Sequence, residues 1–227
     1  MIGMAILGPA MLALTGLSGV ALPQTENPAS IATVTFSLDF PQSDPSHYLI
    51  AVDTSGHASY ESTVKVEESA EEQTYRTEFI ASAGSRERIF EWAKQAKYFA
   101  GKVDSGNQKL AFTGAKILSY QDGQRSFTAR YNYSNLEPVR QLTALFQAME
   151  NTLDYGRRLA YFHRYQKLAL DDELKRMEAQ AKNNELGELQ SVQPELEKIV
   201  EDTSVINVVR ARAKTLIQMG SAGAKGQ

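Results

Sequence analysis

Four segments in the first half of the chain alternate between hydrophobic and polar residues, the period of a strand with one buried face. The alternation is strictest over residues 32–40. Residues 48–53 and 58–67 form the next two segments, and residues 54–56, Thr-Ser-Gly, favour a tight hairpin turn between them. Residues 74–81 predict a fourth strand, in which both faces carry an apolar residue, so its burial is left open.

A helical period begins near Ser85, where apolar residues recur every three or four positions. This pattern predicts a helix that ends at Gly101 and carries the only tryptophan, Trp92, on its buried face. Residues 109–120 and 125–133 then predict a second hairpin, with Asp122-Gly123 in a turn of positive φ.

The second half of the chain has only helical patterns. Ser134 and Glu137 have the spacing of a capping box, and Pro138 suits the first turn of the helix that follows. The buried stripe of that helix comprises Val139, Leu142, Leu145, Phe146, Met149 and Leu153. Residues 155–183 predict a further long helix with a kink at Gly156, and two more helices follow, the last over residues 205–219.

These elements predict an α+β fold: an antiparallel sheet of about six strands with helices packed on one face, followed by a helical C-terminal half. The expected organisation is a signal peptide or N-terminal anchor over residues 1–22, a linker over 23–31, a sheet domain over 32–153, a helical extension over 154–219 and a disordered tail over 220–227.

Residues 1–22 contain no charged side chain and are mostly apolar, which is typical of an export segment. The small residues Gly19 and Ala21 favour cleavage after Ala21. A retained membrane anchor is the alternative, because no Lys or Arg precedes the apolar run and about 20 apolar residues can cross a bilayer. An unusual buried first helix is the third interpretation. We therefore expect an exported protein of the periplasm or cell envelope.

Composition excludes several kinds of chemistry. The formal net charge of -3 gives no overall positive field, which argues against nucleic acid as a partner. The chain has no cysteine, so it cannot form disulfides, cysteine-ligated metal sites or a thiol nucleophile. We also expect no metal and no cofactor, since His47, His57 and His163 lack the spacing of a zinc site.

Catalytic residues are unknown from the sequence. Ser62 and Lys65 have the spacing of a serine nucleophile and its lysine base, but in a strand their side chains point to opposite faces. The many carboxylates over residues 61–78 cluster in and beside a loop, which indicates an exposed acidic rim.

Basic and aromatic residues are interleaved over residues 155–167, the most unusual local composition in the chain. The candidate interaction surface comprises Arg157, Arg158, Tyr161, Arg164, Tyr165 and Lys167. Such a mixture can bind an anionic partner. The alternative is structural: arginine and lysine stems lie over the edge of the core while tyrosine hydroxyls reach water.

Residues 202–213 resemble the second half of a HEAT repeat, through Asp202, Val205, Val208, Val209, Arg210, Ala211 and Ala213. The resemblance covers one unit, whereas a stable HEAT array stacks several. It implies a protein-interaction surface.

We therefore expect a non-catalytic binding or assembly protein of the envelope. The expected partner is another envelope protein, with anionic lipid or polysaccharide as alternatives. A second interpretation is a small hydrolase or ligand-binding enzyme with a pocket between the sheet and the helix of residues 89–99. A His–carboxylate pair in a deep pocket would favour the enzyme, and an exposed apolar helical face would favour binding.

Overall fold

The structure is a computed structural model that describes residues 31–65 and 72–223. The expected signal peptide or anchor, most of the linker, most of the acidic loop and the last four residues of the expected tail lie outside the described residues.

Six antiparallel strands form one sheet in the order β4-β3-β2-β1-β5-β6. Their bounds are β1 Thr33–Asp39, β2 His47–Asp53, β3 His57–Lys65, β4 Glu72–Ile80, β5 Ala115–Gln121 and β6 Ser126–Tyr131. The predicted six-stranded sheet is confirmed.

The alternating pattern decides which face of the sheet is covered. Phe36 of β1 pairs in register with Ile50 of β2 and Leu118 of β5, and all three side chains are fully buried. The Phe36 ring stacks on Phe146 of the helix above it, with 5.4 Å between the ring centroids. Thr35, one position earlier, belongs to the opposite, more polar face.

Within residues 31–65 and 72–223 five α-helices accompany the sheet: α1 Ala83–Gln95, α2 Glu137–Tyr165, α3 Leu170–Lys182, α4 Gln193–Glu201 and α5 Asn207–Gly223. The helices α1 and α2 pack on the sheet, and the rest lie in the C-terminal half. The predicted α+β class is confirmed. Because α5 continues to Gly223, residues 220–223 of the expected tail are helical.

Buried apolar side chains form two clusters, and α2 contributes to both. The first cluster contains the sheet, α1 and the part of α2 that ends at Leu153. The second begins at Tyr155 of α2 and includes residues of α3, α4 and α5. The division therefore falls within one continuous helix, and the boundary between a sheet domain and a helical extension at residues 153 and 154 stays a prediction.

The predicted kink at Gly156 is wrong, since α2 continues unbroken to Tyr165. The chain turns at Gln166 instead. Gly156 has a different role: a Cβ at this position would lie 2.6 Å from Val192 Cγ1. The glycine thus allows the segment around Val192 to pack directly against the α2 backbone.

Two predicted helix and turn signals act differently in the structure. The Ser134 hydroxyl donates to the Val103 carbonyl at 2.7 Å, and α2 begins at Glu137 without a side-chain cap. The second hairpin is confirmed, but φ is positive at neither Asp122 nor Gly123. The Asp122 carboxylate holds this turn by accepting from backbone N–H groups at positions 124 and 125.

Candidate interaction surface

The predicted surface residues lie along the C-terminal part of α2 and on the short turn that follows it, and the structure separates them into two groups. Arg157 and Arg158 point inward to buried carboxylates. Arg157 Nε donates to Asp154 at 2.8 Å, and Arg158 Nε donates to Glu173 at 2.6 Å. Arg158 also pairs with Asp154.

This ion-pair network joins α2 to α3. Asp154 and Glu173 are both almost fully buried, and Glu173 is also paired with Arg176. Burial alone would raise the pKa of Glu173, but hydrogen bonds from Arg176 and Arg158 outweigh it and lower the pKa. Breaking one side of a buried pair leaves an uncompensated charge, so Arg157 and Arg158 stabilise the fold.

The second group is exposed at the end of α2. Tyr161 and Tyr165 are 49% and 61% exposed, with ring centroids 5.2 Å apart, and Leu168 is 93% exposed. The Arg164 guanidinium lies 5.1 Å from the Tyr165 ring centroid. Within the part of the chain that the structure describes, Arg164 forms no ion pair. We call Tyr161, Arg164, Tyr165, Lys167 and Leu168 the α2 tip surface.

Lys167 attaches the tip surface to the turn between α4 and α5. Its ammonium group donates to Asp202 and to the Ser204 hydroxyl, both at 2.6 Å. His163 Nε2 lies 2.9 Å from the same Asp202 carboxylate. These contacts lower the pKa of Asp202, the Lys167 hydrogen bond most strongly. Ile206, two residues beyond Ser204, is also exposed.

Each of the three histidines lies beside an aspartate. His47 Nδ1 lies 2.6 Å from Asp39, His163 faces Asp202, and the His57 backbone N–H donates to Asp53. Residues 31–65 and 72–223 contain no group of three or more His, Asp or Glu side chains that could hold a metal ion.

A cavity of about 550 Å³ lies where the two halves meet. Ser82 and Arg88 line it from the sheet side, and Glu188 and Met219 line it from the helical side. The Glu188 carboxylate is already occupied by contacts with Ser82 and Gln190. This cavity contains no histidine.

A smaller pocket of about 340 Å³ contains the buried Glu150 together with Asp44 and Tyr48. Burial raises the pKa of Glu150 to about 7, although the positive charge of Arg158 and the Tyr60 hydroxyl both act to lower it. Sequence reasoning missed this residue. Glu150 follows Met149 on α2 and carries no motif, so only its burial in three dimensions distinguishes it.

A third concavity lies between α1 and β5, near the position of the expected enzyme pocket. Its lining includes Glu87, Glu91, Tyr98 and Tyr120 but no histidine. A histidine paired with a carboxylate in a deep pocket would favour the enzyme. The residues that line this groove, and those that line the cavity of about 550 Å³, form no such pair.

No protein-family model matches the chain, and no curated protein is similar to it. Among the described residues no helix is both long enough and apolar enough to span a membrane.

Proposed function

We propose that this chain is an exported cell-envelope protein that acts without catalysis, by binding another protein through the α2 tip surface. The observation that carries the proposal is the exposure of Tyr161, Tyr165 and Leu168 beside an arginine that has no ion-pair partner among the described residues. Tyrosine and arginine are enriched among the residues that dominate binding energy at protein interfaces. Contiguous exposed apolar patches on folded proteins mark interaction sites.

The chemistry of the tip surface favours an apolar partner surface with an acidic edge. Leu168 and the two tyrosine rings supply apolar area, and Arg164 supplies a charge that is free to pair with a carboxylate. The short connection of Lys167 to Asp202 and Ser204 holds the surface in place, which reduces the entropy lost on binding.

Site-specific photo-crosslinking in the producing cells tests this proposal. We expect a photoreactive residue in place of Tyr165 to give one discrete protein adduct, which mass spectrometry identifies. The purified partner should then bind with a Kd that rises at least about tenfold when Tyr161, Tyr165 and Leu168 are all changed to serine. Arg157 and Arg158 are left unchanged because they hold the fold.

The matched control removes a similar apolar area elsewhere. Ile80, Leu110 and Phe112 are also exposed, so changing these three residues to serine should leave both the adduct and the Kd unchanged. Equal loss in both triple variants, or no protein adduct at position 165, would contradict the proposal. Flotation of the protein with phosphatidylglycerol vesicles, lost in the tip variant alone, would identify a membrane surface as the partner instead.

Export rests on the uncharged apolar residues 1–22, which lie outside the described residues. Fractionation of the producing cells, followed by N-terminal sequencing, tests it. We expect the protein in the periplasm or envelope with Leu22 as its first residue. An unprocessed chain in the cytoplasm would refute export without affecting the test of the tip surface.

A further inference from the structure

The groove between α1 and β5 has a volume of about 580 Å³, within the range of small-molecule sites. Glu87, Phe90, Glu91 and Lys94 line it from α1. Their spacing, at positions i, i+3, i+4 and i+7, places all four on one face of the helix. The helix therefore presents an aromatic ring between two carboxylates and an ammonium group.

The opposite wall is built on a strained turn. Lys97, Tyr98 and Phe99 have φ values of 53°, 57° and 68°, so three consecutive residues with a Cβ adopt the left-handed conformation. Phe99 is buried in the core and fixes the turn from below. Residues with side chains seldom adopt this conformation, and strain of this kind concentrates at binding sites. Its effect here is to hold the Tyr98 ring half-exposed at the groove, 4.6 Å from the Tyr120 ring.

A cation already stacks on this aromatic pair. The Arg125 guanidinium lies 4.1 Å from the Tyr98 ring centroid and 5.4 Å from that of Tyr120. Asp122 holds Arg125 through an ion pair of 2.7 Å. Backbone N–H donation from Gln124, followed by the side chain of Arg125, lowers the pKa of Asp122 to about 2, so this support stays charged.

The charged groups along α1 are available to a ligand. Among the described residues Glu87, Glu91 and Lys94 form no ion pair, and Glu91 accepts one hydrogen bond, from Gln95 at 3.0 Å. Two acceptors and one donor therefore flank an aromatic surface. We propose that this groove binds an uncharged oligosaccharide, whose apolar C–H face packs on Tyr98 and Phe90 while its hydroxyl groups bond to Glu87, Glu91 and Lys94.

Charge excludes the other ligands that stack on aromatic rings. Glu87 and Glu91 repel the phosphate of a nucleotide. Lys94 places a positive charge in the groove, and Arg125, which lies beside Tyr98 but outside the groove lining, adds a second one, so both repel a quaternary ammonium ligand. A neutral polyol can use donors and acceptors of both kinds without bringing a charge.

Titration of the ¹⁵N-labelled protein with cellotetraose and chitotetraose, followed by NMR, tests the proposal. We expect saturable shifts confined to residues 87–98 and to the neighbourhood of Tyr120, with a Kd between about 10 μM and 10 mM for at least one saccharide. Choline and uridine monophosphate serve as the charged comparison probes.

Two variants and one control make the test specific. Tyr98→Asn removes the ring but keeps a residue that tolerates the left-handed backbone, and it should weaken binding at least about tenfold. Combined Glu87→Gln and Glu91→Gln substitutions, at exposed positions, should weaken it several-fold without unfolding the protein. Tyr133→Ala removes an exposed ring elsewhere and should change nothing. The proposal is overturned if neither saccharide shifts these signals at about 20 mM, if the variants bind normally, or if choline or uridine monophosphate binds the groove more tightly.

Discussion

The Glu188 carboxylate accepts two hydrogen bonds from Ser82, which lies 106 residues earlier in the chain. The Ser82 backbone N–H donates at 2.6 Å and its hydroxyl donates at 2.8 Å. Ser82 is the N-cap of α1, so a residue of the helical half completes the start of a helix that packs on the sheet. Glu188 itself is buried and has a left-handed φ of 56°.

Glu188→Ala should therefore destabilise the whole protein. Hydrogen bonds to a charged group contribute about 1.5–3 kcal/mol, and the variant leaves the N–H and hydroxyl of Ser82 without their acceptor, so we expect a loss of about 2–3 kcal/mol in the free energy of unfolding. Urea denaturation measures it. Glu201→Ala, at an exposed position, serves as the control, and equal effects of the two changes would count against a special role for Glu188.

Gly156→Ala should also be destabilising, although alanine favours helix. The new Cβ would meet Val192 Cγ1 at 2.6 Å, and overpacking of a core typically costs about 1–3 kcal/mol. Thermal denaturation measures the loss. The double variant Gly156→Ala, Val192→Ala makes room for the added methyl group. A double variant that is no more stable than expected from adding the two single effects would show that this contact is not the cause.

The raised pKa of Glu150 predicts that the stability of the folded protein depends on pH. Its pKa is about 7 in the folded protein and near the ordinary value of 4.5 when unfolded. Because the folded state binds the proton more tightly, this contribution to stability is complete below pH 4.5 and is lost as the pH rises to about 7. The loss amounts to at most about 3 kcal/mol.

Glu150→Gln cannot lose this proton. Its stability relative to the unchanged protein should therefore rise between about pH 5 and pH 8, by about 1–3 kcal/mol, in urea denaturation at each pH. Tyr48 and Tyr60 stay neutral in this range because burial raises their pKa values. If the difference in unfolding free energy between the variant and the unchanged protein does not vary with pH, Glu150 is not the source of the pH dependence.

The shared helix α2 predicts one unfolding transition for both halves. Trp92 fluorescence reports on the sheet half, whereas circular dichroism reports mainly on the helices. Because α2 packs in both apolar clusters without a break, the two signals should change at the same urea concentration. Two separated transitions would instead show that the sheet domain and the helical extension unfold independently.

Local patterns in the sequence predicted the elements because burial imposes a period on each of them. The alternation around Phe36 and the stripe from Val139 to Leu153 are both buried as expected. The order of the strands could not be predicted in this way. β1 lies in the middle of the sheet and pairs with β5, more than 70 residues later, and no local period reports such a contact.

The predictions from local patterns were wrong where a residue forms a long-range hydrogen bond in place of the expected local contact. Residues 109–114 alternate like a strand but lie before β5, where Asn132 accepts from the Thr113 N–H and donates to the Ala111 carbonyl. The Ser134 hydroxyl donates to the Val103 carbonyl, and it accepts from the Leu136 N–H rather than from an N–H within α2. The left-handed turn at residues 97–99 contains neither glycine nor asparagine, the residues that usually indicate such a turn in a sequence.

The candidate surface was predictable only in composition. The sequence identified the basic and aromatic residues, but it could not tell which arginines face buried carboxylates, because Glu173 lies 15 residues beyond Arg158 on another helix. Leu168 falls within the long helix predicted over residues 155–183, but it lies exposed in the short turn that follows α2.

The 29 residues of α2 form a rod about 44 Å long, with one end embedded above the sheet and the other bearing the tip surface. A partner bound at the tip surface, as proposed, would be connected through this one unbroken element to Phe146, whose ring stacks on Phe36 in the middle of the sheet.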